Sequence, residues 1–314
     1  MPSNENVHRF DGAFDRSLFA GASCAFGVFD GVHKGHRFII ESARAHGARQ
    51  GVPSVVITFD RDPDEVFAKE GFRKLMDDER RIAALAATGV DHVVVLPFGR
   101  ALASLEPLAF LERTFAQDPP GSLHVGRDLR FGAGARGDVG TLRFWGERTG
   151  TEVLAYELET FDDEPITSTR IRRLLADPGE GRLEEANALL TQPFSVVGTI
   201  ERGRGDGREF GIRTANMVVD ELLLPLAEGV YASEALVDGV RYRAAVNVGV
   251  ALTFEDATTA NVEAHLLDFD QEIYGQRLEL RFHQFLRPMR RFASTEELIA
   301  TITADIARTR TIPL

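Results

Sequence analysis

The stretch GVFDGVHKGHRFII, residues 27–40, decides the fold of the first half of the chain. An apolar segment ends near Phe29, an Asp-Gly pair turns the chain, and a helical pattern begins directly at His33 and His36. Because the free N–H groups at the start of a helix attract anions, this strand–turn–helix unit predicts a phosphate site. Such units recur in α/β domains built on a parallel sheet.

The alternation of strand and helix patterns extends from about residue 20 to residue 190. Apolar runs such as VPSVVITFD, HVVVLPF and SLHVG are separated by amphipathic segments such as DDERRIAALAATG. This order predicts an α/β domain with a Rossmann-like parallel sheet and helices on both faces. Ligands in such sheets bind beyond the carboxyl ends of the strands, which is where residues 27–40 lie.

The pattern changes after about residue 190. Short strand candidates such as GVYASEALVDG, VRYRAAVNVGV and RLELRFHQFL follow one another, and Asp238-Gly239 suits a hairpin turn. Ser294 and Glu297 open the one long helical pattern with a capping box. This half predicts a small antiparallel β-barrel with a terminal helix, and we expect domains at 1–188 and 189–314.

Composition bounds the class of protein. The 314 residues are 44% hydrophobic and 27% charged, with a formal net charge of −12. We therefore expect no nucleic-acid partner, because such binding needs clustered positive charge. The single cysteine, Cys24, excludes an intramolecular disulfide, and no apolar run is long enough for a membrane span. We expect a cytoplasmic protein, monomeric or weakly homo-oligomeric, with no membrane partner.

Two segments of the first half carry phosphate chemistry. His33 and His36 flank Gly35, which allows close backbone approach, and both rings can donate to oxygens that gain charge during phosphoryl-type transfer. The segment ITSTRIRRLL, residues 166–175, sets hydroxyls before arginines that can hold outer phosphates. The alternatives are histidines in an ordinary surface loop and a plain cap on an exposed basic helix.

These blocks together resemble the prokaryotic bifunctional riboflavin kinase/FAD synthetase family. GVFDGVHKGH is similar to its adenylyltransferase signature, and TSTRIR is similar to its phosphate motif. VVITFDRDP and HVGRDLRFGAGARGD also resemble family blocks, in order along nearly the whole chain. The resemblance implies an ATP-using FMN adenylyltransferase that produces FAD and pyrophosphate with the help of Mg²⁺.

The resemblance also implies roles for residues of the first half. His33 and His36 are expected at the α-phosphate, and Asp128 is expected near the ribose or the flavin. The expected ligand contacts are Gly27, Phe29, Asp30 and Gly35, with Ser168, Thr169 and Arg172 on the outer phosphates. The chain departs from the family at Arg61-Asp62-Pro63, where a Pro-His-Pro is usual, and at Arg127 and Leu129 around Asp128.

The second half contains GRGDGREFGIRTANMVV, residues 203–219, for which a surface loop is the plain alternative. It resembles the Gly-x-Pro-Thr-Ala-Asn motif of riboflavin kinases. The resemblance implies nucleotide contacts at Gly211 and Asn216, a metal site at Thr214 and Asn216, and a catalytic base at Glu263. Two family prolines are replaced, by Arg213 and Leu252, and proline would have fixed the backbone there.

Several functions remain open at the level of sequence. The first makes FMN from riboflavin and FAD from FMN, with ATP and flavins as its small-molecule partners. A second keeps the adenylyltransferase alone, with a degenerate kinase-like module that binds flavin. A third is a nucleotidyltransferase acting on a modified flavin or another phosphate, and a fourth is a flavin sensor without enzymatic activity. His265, two residues after Glu263, receives no role at this stage.

Overall fold

The computed structural model describes residues 5–10, 16–67, 72–115, 118–202, 213–220, 222–223, 226–250 and 260–313. The chain divides into two compact units, Met1–Ser168 and Thr169–Leu314. The predicted Gly211 and Leu252 positions lie outside the described residues.

The first unit contains a six-stranded, all-parallel sheet. Its strands are β1 (Val7–Arg9), β2 (Ser23–Phe26), β3 (Ser54–Phe59), β4 (His92–Leu96), β5 (Ser122–Gly126) and β6 (Glu152–Tyr156), in the spatial order β1-β4-β3-β2-β5-β6. The helices are α1 (Lys34–Gln50), α2 (Pro63–Val66), α3 (Asp78–Ala86), α4 (Arg100–Ala103), α5 (Pro107–Phe115) and α6 (Val139–Thr149). A two-stranded ribbon, β7 (Thr160–Phe161) and β8 (Glu164–Pro165), follows.

Helices cover both faces of this sheet, because successive side chains of a strand point to opposite sides. In β2, Cys24 packs with Phe115 of α5 and Trp145 of α6 on one face. Its neighbour Ala25 packs with Ile40 of α1 on the other. The predicted α/β architecture is confirmed. The short edge strand β1, which pairs with β4, has no counterpart in the sequence prediction.

The second unit is a closed antiparallel barrel with helices around it. The helices are α7 (Ser168–Leu175), whose first residue belongs to the first unit, α8 (Arg182–Leu189) and α9 (Thr295–Thr309). The strands are β9 (Ser195–Glu201), β10 (Ala215–Val219), β11 (Gly229–Val237), β12 (Val240–Val250), β13 (Ala260–Leu266) and β14 (Arg277–Arg287), in the order β10-β13-β12-β11-β14-β9.

Local signals set several elements of the barrel unit. Asp238 and Gly239 join β11 to β12 with φ values of 49° and 82°, as a tight hairpin turn requires. Ser294 caps α9 by accepting a hydrogen bond from the Glu297 N–H. The barrel and the terminal helix are confirmed as predicted. Strand β10 forms the end of the stretch for which a surface loop was the alternative, and it pairs with β9 and β13.

Candidate active sites

The two motif histidines meet at the start of α1. The Nδ1 atom of His33 accepts a hydrogen bond of 3.3 Å from the backbone N–H of His36, so His33 caps the helix. The two rings are stacked, with centroids 3.5 Å apart and planes 20° apart. Because Nδ1 is an acceptor here, the proton of the neutral His33 ring lies on Nε2, which can then donate to an anion.

Gly35, between the two histidines, occupies a position with little room for a side chain. A Cβ atom at Gly35 would lie 3.3 Å from the His33 ring and 3.5 Å from the carbonyl oxygen of Ile166. Any side chain would therefore press on the stacked pair. The first turn of α1 also contains no acidic residue, which leaves the positive end of the helix dipole unopposed within that turn. This combination suits a phosphate group.

The turn between β2 and α1 holds a strained backbone. Phe29 and Val32 have φ values of 60° and 40°, in the left-handed region that β-branched and bulky residues rarely adopt. Two hydrogen-bonding arrangements hold this shape. The buried Asp30 carboxylate accepts from the Leu75 N–H at 3.0 and 3.1 Å, and the Ser168 hydroxyl donates to the Asp30 carbonyl at 3.0 Å. The turn is thus fixed by residues far away in the sequence.

Arg81 is a support for this site that the sequence analysis missed. Its guanidinium, 1% exposed, donates at 2.8 Å to the carbonyl oxygens of Val28 and Phe59 and to the Thr58 hydroxyl. It also pairs with Asp78 at 2.9 Å. Arg81 therefore ties the end of β3 to the segment between β2 and α1, residues 27–33, which we call the histidine turn.

Helix α7 begins at Ser168, the residue whose hydroxyl reaches the histidine turn. Thr169 is exposed and Arg172, one turn later, is half-buried. Arg170 is buried and donates to Glu185 at 2.9 Å within the second unit. That pairing gives Arg170 a structural role and leaves Thr169 and Arg172 as the candidate phosphate ligands of this helix.

An apolar cavity of about 420 Å³ opens at the carboxyl ends of β2, β3 and β4. Gly27, Leu129 and Arg130 line it. Asp128 is exposed; it lies two residues past the end of β5 and directly before Leu129. Six aromatic rings also line the cavity: Phe26, Phe59, Phe67, Phe98, Phe110 and Phe131. A flat heteroaromatic ring suits a cavity of this size and lining, since ligand pockets are mostly apolar with few polar groups.

The barrel brings together the predicted kinase residues. In the antiparallel ladders, Asn216 of β10 stands opposite Glu263 of β13, which also stands opposite Asn247 of β12. Opposite residues in such ladders have neighbouring Cβ atoms on one face of the sheet. Asn247 was not singled out from the sequence, because it lies in an unremarkable alternating strand.

A second cavity, of about 660 Å³, lies at one end of the barrel. Arg213, Thr214 and Ala215 line it on one side, and Phe269 and Tyr274 line it on the other. Thr214 directly precedes β10, two residues before Asn216. The barrel therefore combines a polar row, a hydroxyl and a cavity with aromatic walls.

Two separate sites, each suited to phosphate chemistry on an aromatic substrate, define a two-unit nucleotide-dependent transferase. Family models describe the halves accordingly: an FAD synthetase model matches residues 16–170, and a riboflavin kinase model matches residues 190–313. The chain belongs to the bifunctional riboflavin kinase/FMN adenylyltransferase family, as its curated relatives show.

Among those relatives, the enzyme of that description from Pseudomonas fluorescens is 35% identical over 93% of this chain and 93% of its own length. The Listeria monocytogenes enzyme is 34% identical, covering 91% of this chain and 90% of its own length. A solved structure described as a macrolide-efflux protein from Streptococcus pneumoniae has a TM-score of 0.84 and 27% identity. It covers 98% of this chain and 100% of that one.

In the described parts of the chain, no helix is both long and apolar enough to span a bilayer. Those same parts hold no group of three or more His, Cys, Asp or Glu side chains placed to bind a metal ion.

Proposed function

We propose that this chain makes FAD in two steps, with the barrel phosphorylating riboflavin and the α/β unit adenylylating the resulting FMN. The stacked pair of His33 and His36 at the helix start carries the second assignment, because it fits nucleotidyl transfer without a nucleophilic side chain. The ladder position of Asn216 opposite Glu263 carries the first.

In the adenylyl transfer, a phosphate oxygen of FMN attacks the α-phosphorus of ATP, the bond to the β-phosphate breaks, and pyrophosphate leaves. No base is needed, since a phosphate monoester is already largely dianionic at neutral pH. The Nε2–H of His33, together with His36, donates to the oxygens that gain charge. The side chains of Thr169 and Arg172, with the backbone N–H of Ser168 at the start of α7, are proposed to hold the outer phosphates.

The apolar cavity is proposed as the site of the isoalloxazine ring. Its phenylalanines supply stacking surface, and its position at the strand ends agrees with the general placement of ligands in parallel sheets. Gly27 lines the cavity and is the first residue of the histidine turn. We propose that Asp128 contacts the ribose or the ribityl chain from the end of β5.

In the kinase step, the 5′-hydroxyl of riboflavin attacks the γ-phosphorus of ATP and the bond to the β-phosphate breaks. The hydroxyl proton passes to Glu263, and ADP leaves. Thr214 and Asn216 offer neutral oxygen donors, which fit Mg²⁺ when the remaining ligands are ATP phosphates and water. Bound there, the ion would neutralise developing phosphate charge. A different Mg²⁺ ion, arriving with ATP, is proposed to assist the adenylyl transfer in the α/β unit.

Purified protein incubated with ATP, Mg²⁺ and either riboflavin or FMN tests both assignments, with products resolved by chromatography. His36→Ala is expected to abolish FAD formation from FMN and to leave FMN formation from riboflavin intact. Glu263→Gln is expected to do the reverse. Arg44→Ala, an exposed position further along α1, is the matched control and should change neither rate.

The outcomes separate the candidate functions. Conversion of FMN to FAD without conversion of riboflavin to FMN would select the adenylyltransferase with a degenerate kinase module. If neither flavin is converted, both assignments are wrong. Loss of both activities in a folded His36→Ala protein would contradict separate sites.

Three further assignments are part of the proposal. A domain boundary at 188/189 lies within residues 171–189, which the two family models leave between them, whereas the two compact units divide earlier, after Ser168. A cytoplasmic location is supported by the single cysteine, and the absence of a nucleic-acid partner by the net charge of −12. Size-exclusion chromatography with light scattering tests the proposed monomer or weak homo-oligomer.

A further inference from the structure

The side chain of His265 is hydrogen-bonded to the backbone of Arg213. Arg213 directly precedes Thr214 and stands where the motif that this segment resembles has a proline. The Nδ1 atom of His265 lies 2.8 Å from the carbonyl oxygen of Arg213. Since a carbonyl can only accept, the His265 Nδ1–H is the donor.

The position of this bond matters because it lies just past the end of a ladder. The last paired residues of β10 and β13 at this end are Ala215 and Ala264. His265 is the next residue along β13, and its side chain reaches the backbone two residues before Ala215. Thr214 is therefore held from both sides, by the ladder after it and by the His265 bond before it.

The segment around Thr214 lines the barrel cavity. Arg213, Thr214 and Ala215 all line the cavity of about 660 Å³. His265 and Glu263 are two residues apart on β13, so their side chains share one face of the strand. The hydrogen-bonding residue and the proposed base therefore share one face of β13, whereas Ala264 and Leu266 on its other face line the cavity.

We propose that His265 is a positioning residue of the kinase, whose hydrogen bond to the Arg213 carbonyl replaces the restraint of the missing proline. Proline would restrict φ before Thr214, and the imidazole restrains the same backbone from the neighbouring strand instead. The inference rests on the proposed kinase function of the barrel. It does not require His265 to touch a substrate.

A tether of this kind has a characteristic kinetic effect. Without it, the segment that presents Thr214 samples additional conformations, and the apparent affinity for MgATP falls by the fraction that remains competent. Once MgATP is saturating, the competent state is refilled and kcat is retained. One partly exposed hydrogen bond corresponds to roughly a threefold to tenfold rise in KM for MgATP.

The test is a double-substitution cycle on Arg213 and His265, with riboflavin phosphorylation as the readout. His265→Leu is expected to raise KM for MgATP threefold to tenfold at nearly constant kcat. His265→Asn retains a side-chain N–H near the Nδ1 position and should recover most of the loss. Arg213→Pro restores the ring restraint, so adding His265→Leu to it should have little further effect.

Thermal unfolding followed by circular dichroism on every variant reports whether the barrel remains folded, and FAD formation from FMN reports whether the α/β unit does. An unchanged KM in His265→Leu, or a penalty equally large in the Arg213→Pro background, would overturn the positioning role alone. If the unsubstituted chain forms no FMN from riboflavin, the kinase assignment fails and this inference fails with it. The two failures are thus distinguishable in one set of assays.

Discussion

Replacing Arg81 by methionine should destabilise the α/β unit, because this buried guanidinium ties the histidine turn to β3. Methionine keeps most of the apolar volume and removes all the donors. The Val28 carbonyl retains a second donor in the Thr58 hydroxyl at 3.1 Å, so it is not stranded. Asp78 retains Lys74 at 2.6 Å. The loss of stability therefore comes mainly from the Phe59 carbonyl, which is left without this donor, and from the loss of the hydrogen bonds that the charged guanidinium makes.

A stranded buried acceptor costs about 1–3 kcal/mol, and a hydrogen bond to a charged group contributes about 1.5–3 kcal/mol. With partial compensation by methionine packing, we expect a net loss of roughly 2–4 kcal/mol in the free energy of unfolding. At about 2–4 °C per kcal/mol for a unit of this size, Tm should fall by roughly 5–15 °C.

Thermal unfolding followed by circular dichroism, with FAD formation measured at 20 °C and 37 °C, is the assay. Arg80→Met is the matched control: it is the preceding residue of α3, its guanidinium is only partly buried, and its pair with Asp77 is 4.0 Å long. Its expected cost is below about 1 kcal/mol. Equal Tm values for the two variants would refute the view that Arg81 supports the sheet.

Two other predictions concern the same unit. Burial lowers the pKa of His124 to about 4 from an ordinary 6.5, so the unfolded state binds the proton more tightly. Stability should be full above pH 6.5 and fall by about 2 kcal/mol by pH 5 in denaturant titrations, and His124→Asn should flatten that dependence. Phe98→Leu in the apolar cavity should raise KM for FMN threefold to tenfold, since an aromatic pair contributes about 0.5–1.5 kcal/mol. KM for ATP should stay constant, and a parallel rise in both constants would contradict placement of the ring there.

The architecture could be predicted because its signals are local. The buried strands are short apolar runs, and the N-terminal half alternates them with helical periodicity. Cap residues such as Ser294 mark helix starts, and Asp238-Gly239 marks a hairpin. Each of these signals depends on a few neighbouring residues, so the fold class and both motif-bearing elements follow from the sequence.

The missed features depend on contacts between distant segments. Arg80 and Arg81 are adjacent in an amphipathic helix, and nothing local shows that the second one is buried beneath the site. Asn247 acquires meaning only from the register that places it opposite Glu263. His265 likewise gains a role only when β13 is seen to end beside Arg213. Which residues pair between strands, and which face of a helix is buried, depend on tertiary contacts, and residue patterns constrain both only weakly.

The histidine turn shows how these two levels combine. The start of its helix is encoded by a short stretch of glycines and histidines, and this stretch was enough to predict a phosphate site. Its strained shape at Phe29 and Val32 costs about 1–3 kcal/mol per residue, which local sequence cannot maintain. The clamps come from Leu75, Arg81 and Ser168, far apart in the chain. The stacked rings therefore require the completed α/β unit, and a peptide of residues 27–40 alone would not hold them.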